Sequence, residues 1–156
     1  MAVVNTEQVR ARRRASVWTT IHPIFAIGQL LAFVVSVVLL VLYFRGAVTF
    51  DVVHESVLFK IALMLGAVVT GALWEKDVYG YYWFAPAFLF EDTVTVIVLL
   101  LHGGYLAMAY THTDNLVSVI GMLLFAYTVY AANVAQYVWR THQHNRQTAA
   151  VQVRAE

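Results

Sequence analysis

Five ionisable residues stand out because they interrupt two otherwise apolar stretches of the chain. Glu75 and Lys76 close the first stretch, Glu91 and Asp92 open the second, and His102 lies inside the second. A neutral carboxylic acid can donate a proton, whereas a carboxylate or an imidazole can accept one. In poorly hydrated surroundings, desolvation keeps a carboxylic acid neutral near pH 7. The arrangement therefore predicts acid–base chemistry in an apolar site.

His102 lies much deeper in its stretch than the carboxylates. It follows Glu91 by eleven residues, which at about 1.5 Å per residue is roughly 16 Å along a helix. Steps of three and four residues place it on one helical face, which we expect to point into a helix bundle. A purely structural histidine, bonded to a carbonyl or tyrosine of a neighbouring helix, is the alternative. The residues of this face are Glu91, Thr95, Val98, His102 and Tyr105.

Four long apolar stretches must position these residues. In the whole sequence, 61% of residues are hydrophobic and 12% are charged, against about 25% charged in a soluble domain. Each stretch is long enough, as a helix, to cross a hydrocarbon core of about 30 Å. We therefore predict an all-α polytopic membrane protein, a bundle of four transmembrane helices. The predicted spans are 23–44, 56–74, 88–110 and 116–139.

Basic residues predict the orientation of this bundle. Eight of them fall on the side of the termini and of the connection between the second and third spans, whereas Arg45 and Lys60 fall on the other. Such a bias places both termini in the cytoplasm, as a basic segment 1–22 and a polar tail 140–156. We expect the long stem of Lys60 to snorkel to the membrane surface, and His22 to be interfacial.

A second polar face is predicted on the fourth span, with Tyr130, Asn133, Tyr137 and Arg140 in line and Gln136 at the edge. These residues are candidates for substrate contact. The alternative is that the amides only form hydrogen bonds between helices, worth about 1 kcal/mol or less.

Several function classes are excluded by what the sequence lacks. It has no cysteine, so disulfides, thiolate nucleophiles and iron–sulfur clusters are not expected. Its formal charge of +1 is too small to indicate a nucleic-acid partner. Motifs for phosphate loops, nucleophile elbows, zinc sites and dinucleotides are also missing. We expect neither a cofactor nor a metal held by the protein alone.

Several short motifs resemble those of the 3-vinyl bacteriochlorophyllide hydratases of phototrophic bacteria. They are GALWEK at 71–76, FAPAF at 84–88, FED at 90–92 and LH at 101–102. The resemblance covers about residues 13–140. It implies a hydro-lyase of bacteriochlorophyll biosynthesis, a multi-pass protein of the bacterial inner membrane.

The resemblance implies a reaction and roles for the ionisable residues. Water adds across the C3 vinyl group of a chlorophyllide and gives a 1-hydroxyethyl group. Glu91 is the expected proton donor, Glu75 shares the acid and water-orienting roles, and Asp92 supports them. Lys76 is expected to pair with a propionate carboxylate of the substrate or to hold a glutamate ionised. His102 is a candidate axial ligand to the substrate's own magnesium, or an acid–base group.

The expected partners are the tetrapyrrole substrate and membrane lipid, with a homo-oligomer or a complex with other enzymes of bacteriochlorophyll synthesis left open. Two other functions are also open: a non-catalytic pigment-binding or assembly protein that uses His102, and a small proton-coupled transporter subunit. The candidate substrate-binding residues are Trp74, Lys76, Thr95, Tyr105, Tyr130, Asn133, Gln136 and Tyr137.

Overall fold

Helices account for nearly all of the chain. The computed structural model describes residues 6–111 and 115–155, and the side chains of 7–111 and 115–139. These residues form five α-helices, and the chain divides into two compact units, Met1–Asp92 and Thr93–Glu156. The helices are α1 (Thr6–Ala15), α2 (Trp18–Phe44), α3 (Phe50–Tyr79), α4 (Leu89–Thr111) and α5 (Leu116–Ala155).

Four of these helices are long and apolar enough to cross a membrane: α2, α3, α4 and the Leu116–Trp139 part of α5. In hydrocarbon, a helix satisfies the backbone N–H and C=O groups that water would otherwise bind. On α2, the apolar side chains of Val34, Val38 and Val41 are exposed, as expected for a surface that contacts lipid. The prediction of an all-α chain with four apolar spans is confirmed.

The helices extend beyond the predicted spans. α3 begins at Phe50 and includes Asp51 and Glu55, which the sequence analysis left between spans. Asp51 lies in the first turn, where the positive end of the helix dipole favours a carboxylate. Hydropathy detects only the part of a helix that lies in hydrocarbon, so it misses polar end turns. The side chains of the predicted polar tail, 140–156, lie outside the described residues.

A glycine turn ends α2 and brings the chain back into α3. Gly46 has a φ of 71°, a left-handed conformation that glycine adopts without steric penalty. The amides of Gly46 and Ala47 donate to the carbonyls of Tyr43 and Leu42, each at 2.9 Å. This pair of hydrogen bonds is a Schellman motif and satisfies carbonyls at the end of the helix.

α2 and α3 pack along a seam that contains polar groups. Ser36 and Ser56 share a hydrogen bond of 2.8 Å across it. Gly66 leaves room for Phe25, since a Cβ at this position would lie 2.4 Å from two of its ring carbons. The α3 side of the seam consists of buried residues spaced by three or four: Val53, Val57, Lys60, Met64 and Ala67.

Lys60 is fully buried in this seam, so the prediction that it snorkels to the surface is wrong. Its ammonium nitrogen lies 6.0 Å from the centroid of the Phe33 ring on α2, within cation–π range. The prediction considered only the depth of Lys60 along the helix. The position of Lys60 around the helix axis decides whether it is buried, because Lys60 shares the face of Val57 and Met64, which packs on α2.

In the second unit, α4 and α5 pack through the face predicted from sequence. Val98, His102 and Tyr105 are all buried, which confirms this part of the α4 stripe. A Cβ on Gly104 would lie 2.6 Å from Met122 Cε on α5, so the two helices approach closely here. The α5 residues buried in this unit are Val119, Leu123, Ala126, Tyr127 and Tyr130.

Candidate active site

Two carboxyl groups meet within the first unit. Glu75 lies one turn before the end of α3 and is 7% exposed, and Asp92 lies in the first turn of α4. Both side chains accept from the connection between α3 and α4, which brings the two carboxyl groups close enough to interact electrostatically. Two carboxylates at short distance cannot both ionise readily, which favours a proton on one of them. The pair is therefore suited to act as an acid.

Two consecutive backbone amides of the connection between α3 and α4 hold this pair. The N–H of Phe84 donates to Asp92 Oδ2 at 2.7 Å, and the N–H of Ala85 donates to Glu75 Oε2 at 3.2 Å. Ala85 is itself fully buried. Each carboxyl group therefore has one oxygen bound to the main chain. This contact also defines where its second oxygen, which can contact a substrate, is directed.

Phe84 adopts an unusual backbone conformation to make this contact. Its φ is 56°, in the left-handed region, and among the described non-glycine residues it is the one with positive φ. Such a conformation costs a bulky residue about 1–3 kcal/mol and persists only where the surroundings enforce it. The hydrogen bonds of Phe84 and Ala85 to the carboxyl pair provide that enforcement.

Three aromatic rings pack where α3 ends and α4 begins. Trp74 lies 5.9 Å from Tyr79 and 5.5 Å from Phe88, and the last two lie 5.6 Å apart, measured between ring centroids. All three pairs are edge-to-face, the arrangement that aromatic quadrupoles favour. This aromatic cluster of Trp74, Tyr79 and Phe88 fixes the ends of the connection that carries Phe84 and Ala85.

The end of α1 and the start of α2 are anchored to the same part of α3. Trp74 Nε1 donates to Thr19 Oγ1 at 3.0 Å, and Thr19 Oγ1 donates to the carbonyl of Arg13 at 2.6 Å. Ser16 Oγ donates to Asp77 Oδ2 at 2.8 Å. The guanidinium carbon of Arg13 lies 5.2 Å from the centroid of the Trp74 ring. The basic segment is thus docked on α3, the helix that carries Glu75.

The other charged candidates of the first unit lie close to this pair in sequence. Glu91 is half-buried, and its charge acts on its neighbour Asp92. Lys76 is exposed, with its ammonium 3.4 Å from the carbonyl of Gly80 and 4.9 Å from the centroid of the Tyr82 ring. A lysine there stabilises the carbonyl end of its own helix.

His102, in the second unit, is 1% exposed. Its Nδ1 lies 2.8 Å from the carbonyl of Val98, and a carbonyl only accepts, so Nδ1 carries a proton. In the neutral imidazole, Nε2 then has the lone pair that could accept a proton or bind a metal. The ring centroid of Tyr127 lies 6.0 Å away.

The remaining candidates of the second unit differ in exposure. Tyr105 and Tyr130 are buried, and Thr95, Asn133 and Gln136 are half-buried. Tyr137, predicted on the inward face of α5, is instead 65% exposed. No described residue of α5 beyond Tyr130 is buried, because the covered part of the helix ends there.

Sequence reasoning missed two contributors to the site and one contact between helices. Phe84 and Ala85 act at the site through their backbone N–H groups, which every residue except proline has, so residue type gives no signal. His22, expected at the interface, lies 3.1 Å from the carbonyl of Ala67 and 3.2 Å from Thr70 Oγ1 through its Nδ1. It therefore joins α2 to α3, and its ring lies within 3.2 Å of a Cβ built on Gly71.

Comparison with known proteins gives consistent matches. The profile of the family described as 2-vinyl bacteriochlorophyllide hydratase matches residues 5–143. A 2-vinyl bacteriochlorophyllide hydratase of Rhodobacter capsulatus is 41% identical over 146 residues, 93% of this chain and 84% of that protein. One of Cereibacter sphaeroides is 38% identical over 135 residues, 86% of this chain and 84% of that protein. No solved structure matches the chain.

Proposed function

Since this chain belongs to the 2-vinyl bacteriochlorophyllide hydratase family and is a hydratase of bacteriochlorophyll biosynthesis, we propose that its Glu75–Asp92 pair supplies the proton for hydration. The 2-vinyl and 3-vinyl names denote the same substituent, so the resemblance identified from sequence is confirmed. The matches favour an enzyme over the pigment-binding protein and the transporter subunit.

Hydration of the vinyl group needs one proton transfer to the substrate and one from the attacking water. A proton adds to the terminal carbon and leaves a carbocation at the internal carbon, where the conjugated macrocycle stabilises it. Water attacks the internal carbon and then loses a proton, which gives the 1-hydroxyethyl group. No electron is transferred, so the site needs an acid, an acceptor for the proton of water and protection from bulk solvent.

The binding of Glu75 and Asp92 by two consecutive backbone amides is the observation that carries the proposal. It places the two carboxyl groups beside each other, which favours a proton on one of them, and the amides of Phe84 and Ala85 remain as donors when that proton leaves. Charge-assisted hydrogen bonds stabilise the resulting carboxylates without any rearrangement. The proton released by the attacking water then restores the pair.

The neighbouring candidates are given supporting roles. Glu91 was expected to be the proton donor, and we now assign it to orient the attacking water, because Asp92 is the carboxyl that accepts from the amide next to the one bound by Glu75. Lys76 remains a candidate contact of a substrate carboxylate. His102 remains a candidate ligand to the substrate's magnesium. The other substrate contacts proposed are Trp74, Thr95, Tyr105, Tyr130, Asn133, Gln136 and Tyr137.

The membrane suits this substrate. A chlorin ring is flat and apolar, whereas its carboxylate favours the interface. The excess of basic residues on one side supports cytoplasmic termini and a location in the bacterial inner membrane, with the carboxyl pair near the cytoplasmic leaflet. A pigment in that leaflet would reach the pair without crossing water.

The test is hydration of 3-vinyl chlorophyllide by membranes that contain wild type, Glu75→Gln, Asp92→Asn or Glu91→Gln. Loss of the vinyl group moves the long-wavelength absorption band to the blue. We expect the first two variants to lose about 10²-fold or more in rate, the usual contribution of acid–base catalysis, and Glu91→Gln to lose less. Glu55→Gln, an exposed carboxylate of the same helix as Glu75, is the control. Normal rates in both Glu75→Gln and Asp92→Asn would refute the proposal.

A further inference from the structure

Arg13 differs from the other arginines of the basic segment in being docked. Its guanidinium lies over the Trp74 ring at 5.2 Å, and its carbonyl accepts the Thr19 hydroxyl at 2.6 Å. All three arginines are exposed, but among the residues whose side chains are described, Arg12 and Arg14 have no comparable ring contact. Arg13 is thus distinguished from its neighbours by an aromatic ring beside its guanidinium.

A cation–π contact leaves the hydrogen-bonding capacity of a guanidinium intact. Its N–H donors lie in the plane of the guanidinium, so a guanidinium beside an indole can still donate to an anion. Within the described part of the chain, Arg13 forms no ion pair, and the nearby Asp77 accepts from Ser16 instead. Arginine binds carboxylate through two parallel N–H bonds, a geometry that lysine cannot offer.

We propose that Arg13, in cation–π contact with Trp74, is a binding site for the free carboxylate of the tetrapyrrole. This inference rests on the proposed function, because it takes the substrate to be a pigment acid. Trp74 directly precedes Glu75 and belongs to the aromatic cluster with Tyr79 and Phe88, so one helix end presents both an apolar surface and the acid. The site selects a pigment whose propionate is free over one whose propionate is esterified.

Arg13 suits this role better than Lys76. The ammonium of Lys76 is directed at the Gly80 carbonyl and the Tyr82 ring, and it is a strongly hydrated point charge. The guanidinium is less hydrated and already contacts an aromatic ring, so less side-chain entropy is lost when it binds an anion.

The test compares a free acid with its ester. Arg13→Gln, Arg13→Lys and the matched controls Arg12→Gln and Arg14→Gln are assayed in nanodiscs of neutral lipid, with 3-vinyl chlorophyllide and with its propionate methyl ester. For Arg13→Gln we expect KM for the acid to rise about tenfold or more, as for a lost charge-assisted hydrogen bond, while kcat changes less and KM for the ester stays constant. Arg13→Lys should be intermediate, and both controls should match wild type.

Pigment binding without turnover separates this inference from the proposed acid chemistry. Fluorescence titration of the acid and the ester into Glu75→Gln, with and without Arg13→Gln, reports the carboxylate site alone. If Glu75→Gln still hydrates the substrate but Arg13→Gln weakens binding of the acid, the acid assignment fails and the binding site stands.

Three outcomes overturn the carboxylate site. Equal effects on acid and ester mean that Arg13 only docks α1 on α3. No effect on either means that it is not a binding residue. A defect that appears only in nanodiscs of anionic lipid means that the guanidinium contacts lipid phosphate.

Discussion

Glu75 and Asp92 lie on different helices, α3 and α4, yet their carboxyl groups accept from two consecutive backbone amides. The connection between those helices supplies these amides, from Ala85 at 3.2 Å and from Phe84 at 2.7 Å. Like charges at short distance cannot both ionise readily, so we propose that the two acids share a proton.

Infrared spectroscopy should detect the shared proton directly. We expect wild type at neutral pH to show the C=O stretch of a protonated carboxyl group, and both Glu75→Gln and Asp92→Asn to lose it, because each substitution removes one half of the pair. Glu55→Gln should retain the band. A band that survives both substitutions would show that the proton resides elsewhere.

The backbone donor of Phe84 can be removed separately from its side chain. Phe84→Pro lacks an N–H and fixes φ near −65°, so Asp92 loses its donor and the rate of hydration should fall about 10²-fold, the usual effect of losing one electrostatic donor. Phe84→Gly keeps the N–H and adopts positive φ freely, so it should remain active. Equal activity of the two variants would mean that the contact is incidental, and circular dichroism in detergent should verify that both are folded.

The α2–α3 seam should be sensitive to a single methyl group. Gly66→Ala places a Cβ 2.4 Å from the ring of Phe25, and such overpacking typically destabilises by about 1–3 kcal/mol. Gly103→Ala, with nothing within 4 Å of its Cβ, should be neutral or slightly stabilising, since alanine favours helix. Thermal unfolding in detergent measures both. Partial rescue of Gly66→Ala by Phe25→Leu would confirm the clash as the cause.

Two substitutions of His102 separate its structural role from metal ligation. Asn can imitate Nδ1, which bonds the Val98 carbonyl, whereas Gln can imitate Nε2. If Nε2 binds the magnesium of the substrate, His102→Asn should bind magnesium chlorophyllide less tightly than His102→Gln does, with no such difference for the magnesium-free pigment. Equal affinities of both variants for both pigments would leave His102 a structural residue.

Hydropathy and helical periodicity predicted the parts of the fold that lipid and packing determine. The four spans follow from long apolar runs, and the buried face of Val98, His102 and Tyr105 follows from steps of three and four residues. Periodicity does not indicate which of the adjacent acids Glu91 and Asp92 accepts from the amide of Phe84. That depends on how the connection enters α4, which residue type and spacing do not reveal.

Other differences have equally local causes. Lys60 is buried because it lies on the face of α3 that packs on α2. The prediction considered only how deep Lys60 lies along the span. The donors at Phe84 and Ala85 depend on a positive φ at a phenylalanine, a conformation that its residue type disfavours.

Because backbone N–H groups bind the two acids, the side chains beside them can be changed by mutagenesis. The exposed ring of Phe84 can be replaced by another side chain without removing the N–H that Asp92 accepts. Pigment preference could therefore be altered by mutagenesis at this position while the proposed acid pair keeps its backbone donors, a separation that an enzyme relying on side-chain donors would not permit.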